Sequence, residues 1–138
     1  MIRTFLKNRK NRKGFSLIEL LIVIAIIGII ATIAIPLLLS ARNNAINEKA
    51  RNSLRTVSSA EAAYYAAHGT YGDAATLVAP GGSETAYLDD RFLDPGDLGQ
   101  GVTVTIGSAD QAGFSASASG ATFDYTVDQT GQIKEVAH

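Results

Sequence analysis

Cysteine is absent from all 138 residues, which excludes a disulfide framework and any thiolate metal site. The compartment must therefore be read from topology. Tryptophan is absent too, and histidine is confined to His68 and His138. One of these falls at an expected helix end and the other is the final residue, so no catalytic or metal-binding pair of imidazoles is indicated. Gly81-Gly82 lacks the Lys and Ser/Thr that would follow in a phosphate loop. The serines of 115–119 alternate with apolar residues, as on the polar face of a strand. Nothing here forms an enzymatic constellation, and no cofactor is expected. The length suits one modest domain with an appendage.

Charge is scarce in two places. The first 14 residues contain no acid, while Arg3, Lys7, Arg9, Lys10, Arg12 and Lys13 give them six positive charges. Residues 20–41 contain no charge of either sign. Beyond them, Arg42, Lys49, Arg51 and Arg55 face only Glu48, a local excess of three. From residue 56 onward only Arg91 and Lys134 oppose eleven acids. A net charge of −1 thus hides three electrostatic zones, a pattern that reports on topology and partners.

The uncharged run, Leu20 to Ala41, is broken only by Gly28, Thr32, Pro36 and Ser40. Its helical length of roughly 33 Å is enough for a hydrocarbon core of about 30 Å. The preceding cations hold the amino terminus in the cytoplasm and send everything after Arg42 across the membrane. An ordinary secretory signal has a shorter apolar region and a small-x-small exit, which Leu39-Ser40-Ala41 does not provide. A plain signal anchor would explain the span but not Glu19, the single acid at its start. A carboxylate near the bilayer centre costs roughly 2.5–3.5 kcal/mol, and even near the edge it asks for a partner. The obvious candidate is a cation from another copy of the chain.

Lys13-Gly14-Phe15-Ser16-Leu17-Ile18-Glu19 resembles the class III signal of type IV prepilins and of the pseudopilins of type II secretion. The resemblance covers the leader and the whole first helix. It implies cleavage by prepilin peptidase between Gly14 and Phe15, N-methylation of Phe15 and retention of the apolar helix. It also implies that Glu19 pairs with the terminal ammonium of Phe15 in a neighbouring subunit. The residues agree: cutting after Gly14 removes all six leader cations and leaves one ammonium, and in an apolar filament core either charge alone would be unpaired. Pro36 has no N–H for the carbonyl of Thr32, which tends to kink a helix. In the resembled family the interval corresponding to Gly28–Pro36 is a helix break that unwinds on packing.

Helical spacing continues outside the membrane through Ile46, Ala50, Leu54, Val57, Ala60 or Glu61, and Tyr64. Asn43, Asn44 and Asn47 predict a loosened turn at its start. His68-Gly69 reads as the stop. Residues 69–101 lack a sustained period and read as a long loop. Three alternating segments follow: Val102, Val104 and Ile106; Phe114, Ala116 and Ala118; Phe123, Tyr125 and Val127. Each set lines one face of a strand, as in an antiparallel sheet covered on one side. Asp128-Gln129-Thr130-Gly131 reads as a hairpin turn. The last strand, from Gln132 to Val136, puts Ile133 and Glu135 on one face, which predicts a bulge or fraying.

The expected fold is α+β, a long amino-terminal helix whose outer half packs on a small antiparallel meander. The divisions are a leader over 1–14, an apolar half-helix over 15–41, an amphipathic half over 42–68, the loop over 69–101 and the sheet over 102–138. Tyr64, Tyr65, Gly69 and Tyr71 resemble the tyrosine-glycine-tyrosine stretch where pilin helices end, with Gly72 in place of the usual proline. Asp89, Asp90, Asp94 and Asp97 could offer calcium its oxygen ligands, but their spacing fits no EF-hand. The tryptophan-containing surroundings of the pseudopilin calcium loop are also missing.

The resemblance implies a pilus subunit whose partners are itself, prepilin peptidase, the inner-membrane assembly machinery and, before assembly, the membrane. It begins in the inner membrane with its carboxy-terminal domain in the periplasm and ends in an extracellular filament. The alternatives are a pseudopilin and a single-span protein with a small binding or sensory domain. The cations of 42–55 are better matched to the acidic domain of a neighbouring subunit than to DNA, and no specific nucleic acid is expected.

Overall fold

The computed structural model describes residues 14–93 and 95–137. The leader cations Arg3 to Lys13, Asp94 and His138 lie outside the described residues. Contacts divide the chain into two units, Met1–Leu38 and Leu39–His138.

Helix α1, Leu17–His68, contributes to both. In the first unit its apolar side chains are exposed all round, from Leu17 to Leu38. The helix is assigned without interruption through Gly28 and Pro36. The expected loosening over 43–47 is not found. Instead of competing with its own helix backbone, Asn47 is buried and turned toward the sheet. Its Oδ1 accepts from the N–H groups of Ala121 and Thr122 at 2.8 and 3.2 Å, and its Nδ2 donates to Thr122 Oγ1 at 2.8 Å.

The second unit is a half-covered sheet. Strands β1 (Gly96–Asp97), β2 (Thr103–Ala109), β3 (Phe114–Ser119), β4 (Phe123–Asp128) and β5 (Ile133–Ala137) pair in chain order, every pair antiparallel. Such a meander needs only short connections. Val104, Ile106, Phe114, Ala116, Ala118, Tyr125 and Val127 are buried, while the intervening Thr103, Thr105, Ser115 and Ser117 face water. This face packs with Ala50, Leu54, Val57, Ala60 and Tyr64 of α1 in one core.

The bulge falls elsewhere than expected. β4 and β5 stay in regular register from Val127↔Ile133 to Phe123↔Ala137. Only Ile133 of β5 is partly buried, so Glu135 keeps its water without leaving register. The irregularity lies between Ile106↔Ala116 and Ala109↔Phe114, where Gly107 and Ser108 oppose Ser115 alone. A Cβ on Gly107 would come within 2.6 Å of Ser115 Oγ, so the site suits glycine. The turn into β5 has Gly131 at φ 73° with its N–H bonded to Asp128 O at 2.9 Å.

The segment 69–101 is more ordered than a plain loop. It contains α2 (Ala74–Val78), a turn of 3-10 helix at Asp90–Phe92, and β1. Each is too short to show a period in sequence, and each is tied down locally. Asp73 caps α2 through Thr76 N at 2.8 Å, and Asp89 caps the 3-10 turn through Arg91 N at 2.9 Å. Leu77, Leu88 and Phe92 enter the core, which gives the segment its anchorage.

Candidate processing and assembly site

Gly14, Phe15 and Ser16 precede the first turn of α1 and carry no regular structure. Gly14 is exposed, and a Cβ built on it would meet nothing within 4 Å. The chain itself therefore places no steric demand for glycine there; any such demand comes from what grips the backbone. Phe15 is 89% exposed, an extreme value for a large aromatic side chain. The Gly14–Phe15 peptide is thus presented to solvent next to a helix.

Glu19 stands in the first turn of α1, where an acid complements the helix dipole. Its Oε2 accepts from the backbone N–H of Ser16 at 2.8 Å. Ser16-Leu17-Ile18-Glu19 thus fits the capping-box pattern, with the glutamate reaching back over the helix start. Sequence reasoning missed this bond, although S-x-x-E was there to be read. It gives Glu19 a local partner while the chain is intact, one residue from Phe15 N.

From Leu17 through Leu39 the larger apolar side chains of α1 are about half exposed or more. This segment is long and apolar enough to cross a membrane, with no buried residue in its most apolar 18-residue window. An uncovered surface of this size requires lipid or other helices as its solvent. Gly28 and Pro36 lie within it, and the Oγ1 of Thr32 donates to Ile29 O at 2.7 Å.

The other candidates do not come together. Asp89 pairs with Arg91 at 2.9 Å, and Asp97 accepts from Gly99 N at 2.7 Å. Among the described residues no group of three or more His, Asp or Glu side chains could hold a metal ion. His68 stacks on Tyr64 with centroids 4.1 Å apart and meets Glu84 at 3.2 Å, a structural role at the helix end. Of the cations at 42–55, Lys49 is consumed internally, donating to Leu98 O at 2.6 Å and Gly99 O at 3.2 Å. Arg51 pairs with Glu48 at 3.3 Å and lies over the Tyr125 ring.

Among the described residues one helix is long and apolar enough to cross a membrane, and it accompanies a folded α+β unit. Residues 9–35 match the family model described as the prokaryotic N-terminal methylation motif. The match covers 27 of the 138 residues, the stretch that resembles the class III signal of type IV prepilins. No curated protein matches the chain.

Proposed function

We propose that this chain is a structural subunit of a type IV pilus. Prepilin peptidase cuts between Gly14 and Phe15, the new terminus is N-methylated, and the inner-membrane assembly machinery lifts the subunit from lipid into an extracellular filament. The observation that carries this reading is the coincidence of the methylation motif with an apolar helix that the rest of the chain leaves uncovered. In the membrane its solvent is lipid; in a filament it is the same helix of other copies. A contact of this head-to-tail kind does not close and so propagates.

Cleavage changes the partner of Glu19. The backbone N–H of Ser16 remains, and the ammonium of Phe15 appears beside it. In a helical array Glu19 takes the ammonium of the next subunit, and the pair neutralises two charges that would otherwise be buried alone. Pairing fixes register more than it adds net stability. Gly28 and Pro36 are where the helix can unwind as subunits pack, since Pro36 already lacks one backbone bond.

Glu19→Gln tests the proposal. The variant inserts and is cleaved at Gly14 like the wild type, and its filament yield falls by an order of magnitude or more. Undiminished filaments would dispose of the pairing. The motif is shared with pseudopilins, and a processed product confined to the envelope would point to that role instead.

A further inference from the structure

Glu61 is a glutamate on the buried face of α1, and nothing in processing or assembly uses it. Its side chain is 0% exposed. Oε2 accepts from the N–H of Gly72 at 2.9 Å, while Oε1 is buried with no hydrogen-bond partner among the described residues. The salt bridges among the described residues engage Glu48, Glu84, Asp89 and Asp128, not Glu61. A fully enclosed carboxylate with one donor is costly when ionised and tolerable when neutral.

The surroundings reinforce this. From α1 it has Tyr64 beside it, with His68 stacked on that ring. Further out, Tyr87 stands edge-on to Tyr64, and His68 meets Glu84 at 3.2 Å. From the segment after α1 comes Asp73, whose negative charge is felt at Glu61. Burial pushes the Glu61 carboxyl from 4.5 up to about 7; the Gly72 N–H opposes the rise and Asp73 adds to it. Gly72 itself is closely fitted, since a Cβ there would lie 3.2 Å from both Tyr64 and Leu77.

We propose that Glu61 is a proton-operated latch holding the Thr70–Val78 segment against α1. With its proton, Glu61 keeps the bond from Gly72 N–H and buries no charge. When the carboxyl gives its proton to water, an anion with one donor remains beside Asp73, and opening of the segment is the way to hydrate it. The segment is otherwise tied by Tyr71 N–H to Asp110 O at 3.1 Å, by the Tyr71 ring between Tyr65 and Phe114, and by buried Leu77, whose carbonyl accepts from Tyr87 and Leu88 N–H at 2.9 and 3.0 Å. What loosens is therefore a defined piece of chain that carries α2 and an aromatic contact to β3. The latch does not depend on whether the chain forms filaments.

Amide hydrogen exchange at Gly72 and Leu77, on the full chain in detergent micelles between pH 4 and 9, tests this. Corrected for intrinsic chemistry, the opening constant should climb by up to about tenfold per pH unit from about 4.5, then level off near 7. In Glu61→Gln, which keeps an acceptor for Gly72 N–H, the climb should disappear. In Asp73→Asn, which can still cap α2, it should level off at a lower pH. A pH-independent opening in the wild type would overturn the latch. So would a climb that survives in Glu61→Gln or a profile that Asp73→Asn leaves unmoved.

Discussion

Replacing Asn47 by alanine is the sharpest test of how α1 and the sheet are joined. Asn47 makes three hydrogen bonds to the turn between β3 and β4, two through Oδ1 and one through Nδ2. Each is worth about 0.5–1.5 kcal/mol net. Ala121 and Thr122 are exposed, so water can reach their freed N–H groups and the loss should sit toward the lower end. Alanine also returns about half a kcal/mol of helix propensity. The balance is a destabilisation of about 1–3 kcal/mol. Urea unfolding followed by tyrosine circular dichroism should show a lower midpoint at an unchanged slope. Hydrogen exchange should show Ala121 and Thr122 losing protection first. Thr122→Val removes only the Nδ2 bond, and its cost should be far from additive with that of Asn47→Ala, since the two residues share a network. A midpoint unchanged within error in Asn47→Ala would refute the reasoning and leave apolar packing as the sole joint.

Other perturbations follow from the same contacts. Lys49→Met should free the Leu98–Gly101 segment at a cost of about 1–3 kcal/mol, because a charged donor leaves two carbonyls; exchange at Val102 N–H, which bonds Gly99 O, reads it directly. The pH dependence should be two-sided. Asp73 is held below 3.8 by Thr76, Asp128 by Thr130, and Asp89 at about 2 by Arg91, so their contributions are complete above 3.8 and lost as pH falls. Glu61 acts in the opposite sense: its folded value lies above 4.5, so the stability linked to its proton is complete below 4.5 and lost as pH rises toward about 7. The loss amounts to about 3 kcal/mol. Together they predict greatest stability near about pH 4–5. A midpoint that rises steadily from pH 5 to 8 would contradict this. Gly14→Leu should fold as the wild type does, since a Cβ at Gly14 meets none of the described residues within 4 Å, yet stay uncut; a normal mature mass would show that glycine is not required.

The architecture was legible because two periods are strong in this chain. Steps of three and four from Ile46 to Tyr64 and alternation within 102–106, 114–118 and 123–127 each left one side to bury, and these sides share one core. The parts that were not legible depend on single long-range contacts. Asn47 looks like a helix weakener until the turn at 121–122 arrives beside it. The bulge depends on Gly107 meeting Ser115 across the ladder, which no local pattern encodes. The elements of 69–101 are held by caps and by one or two apolar anchors, too few residues to register as periodic. At the amino terminus the motif was plain, whereas the Ser16–Glu19 bond hid in a pattern more often read at the start of soluble helices. Glu61 was readable only as an alternative to Ala60 on the helix face, because its burial is a property of the packed domain.

The central claim is that the chain is cut after Gly14 and assembled through the helix that remains. Intact-mass measurement of material sheared from the cell surface addresses it in one step. The expected result is an abundant chain beginning at Phe15 and carrying one added methyl group. A chain found only in the form that begins at Met1 would contradict both the processing and the filament.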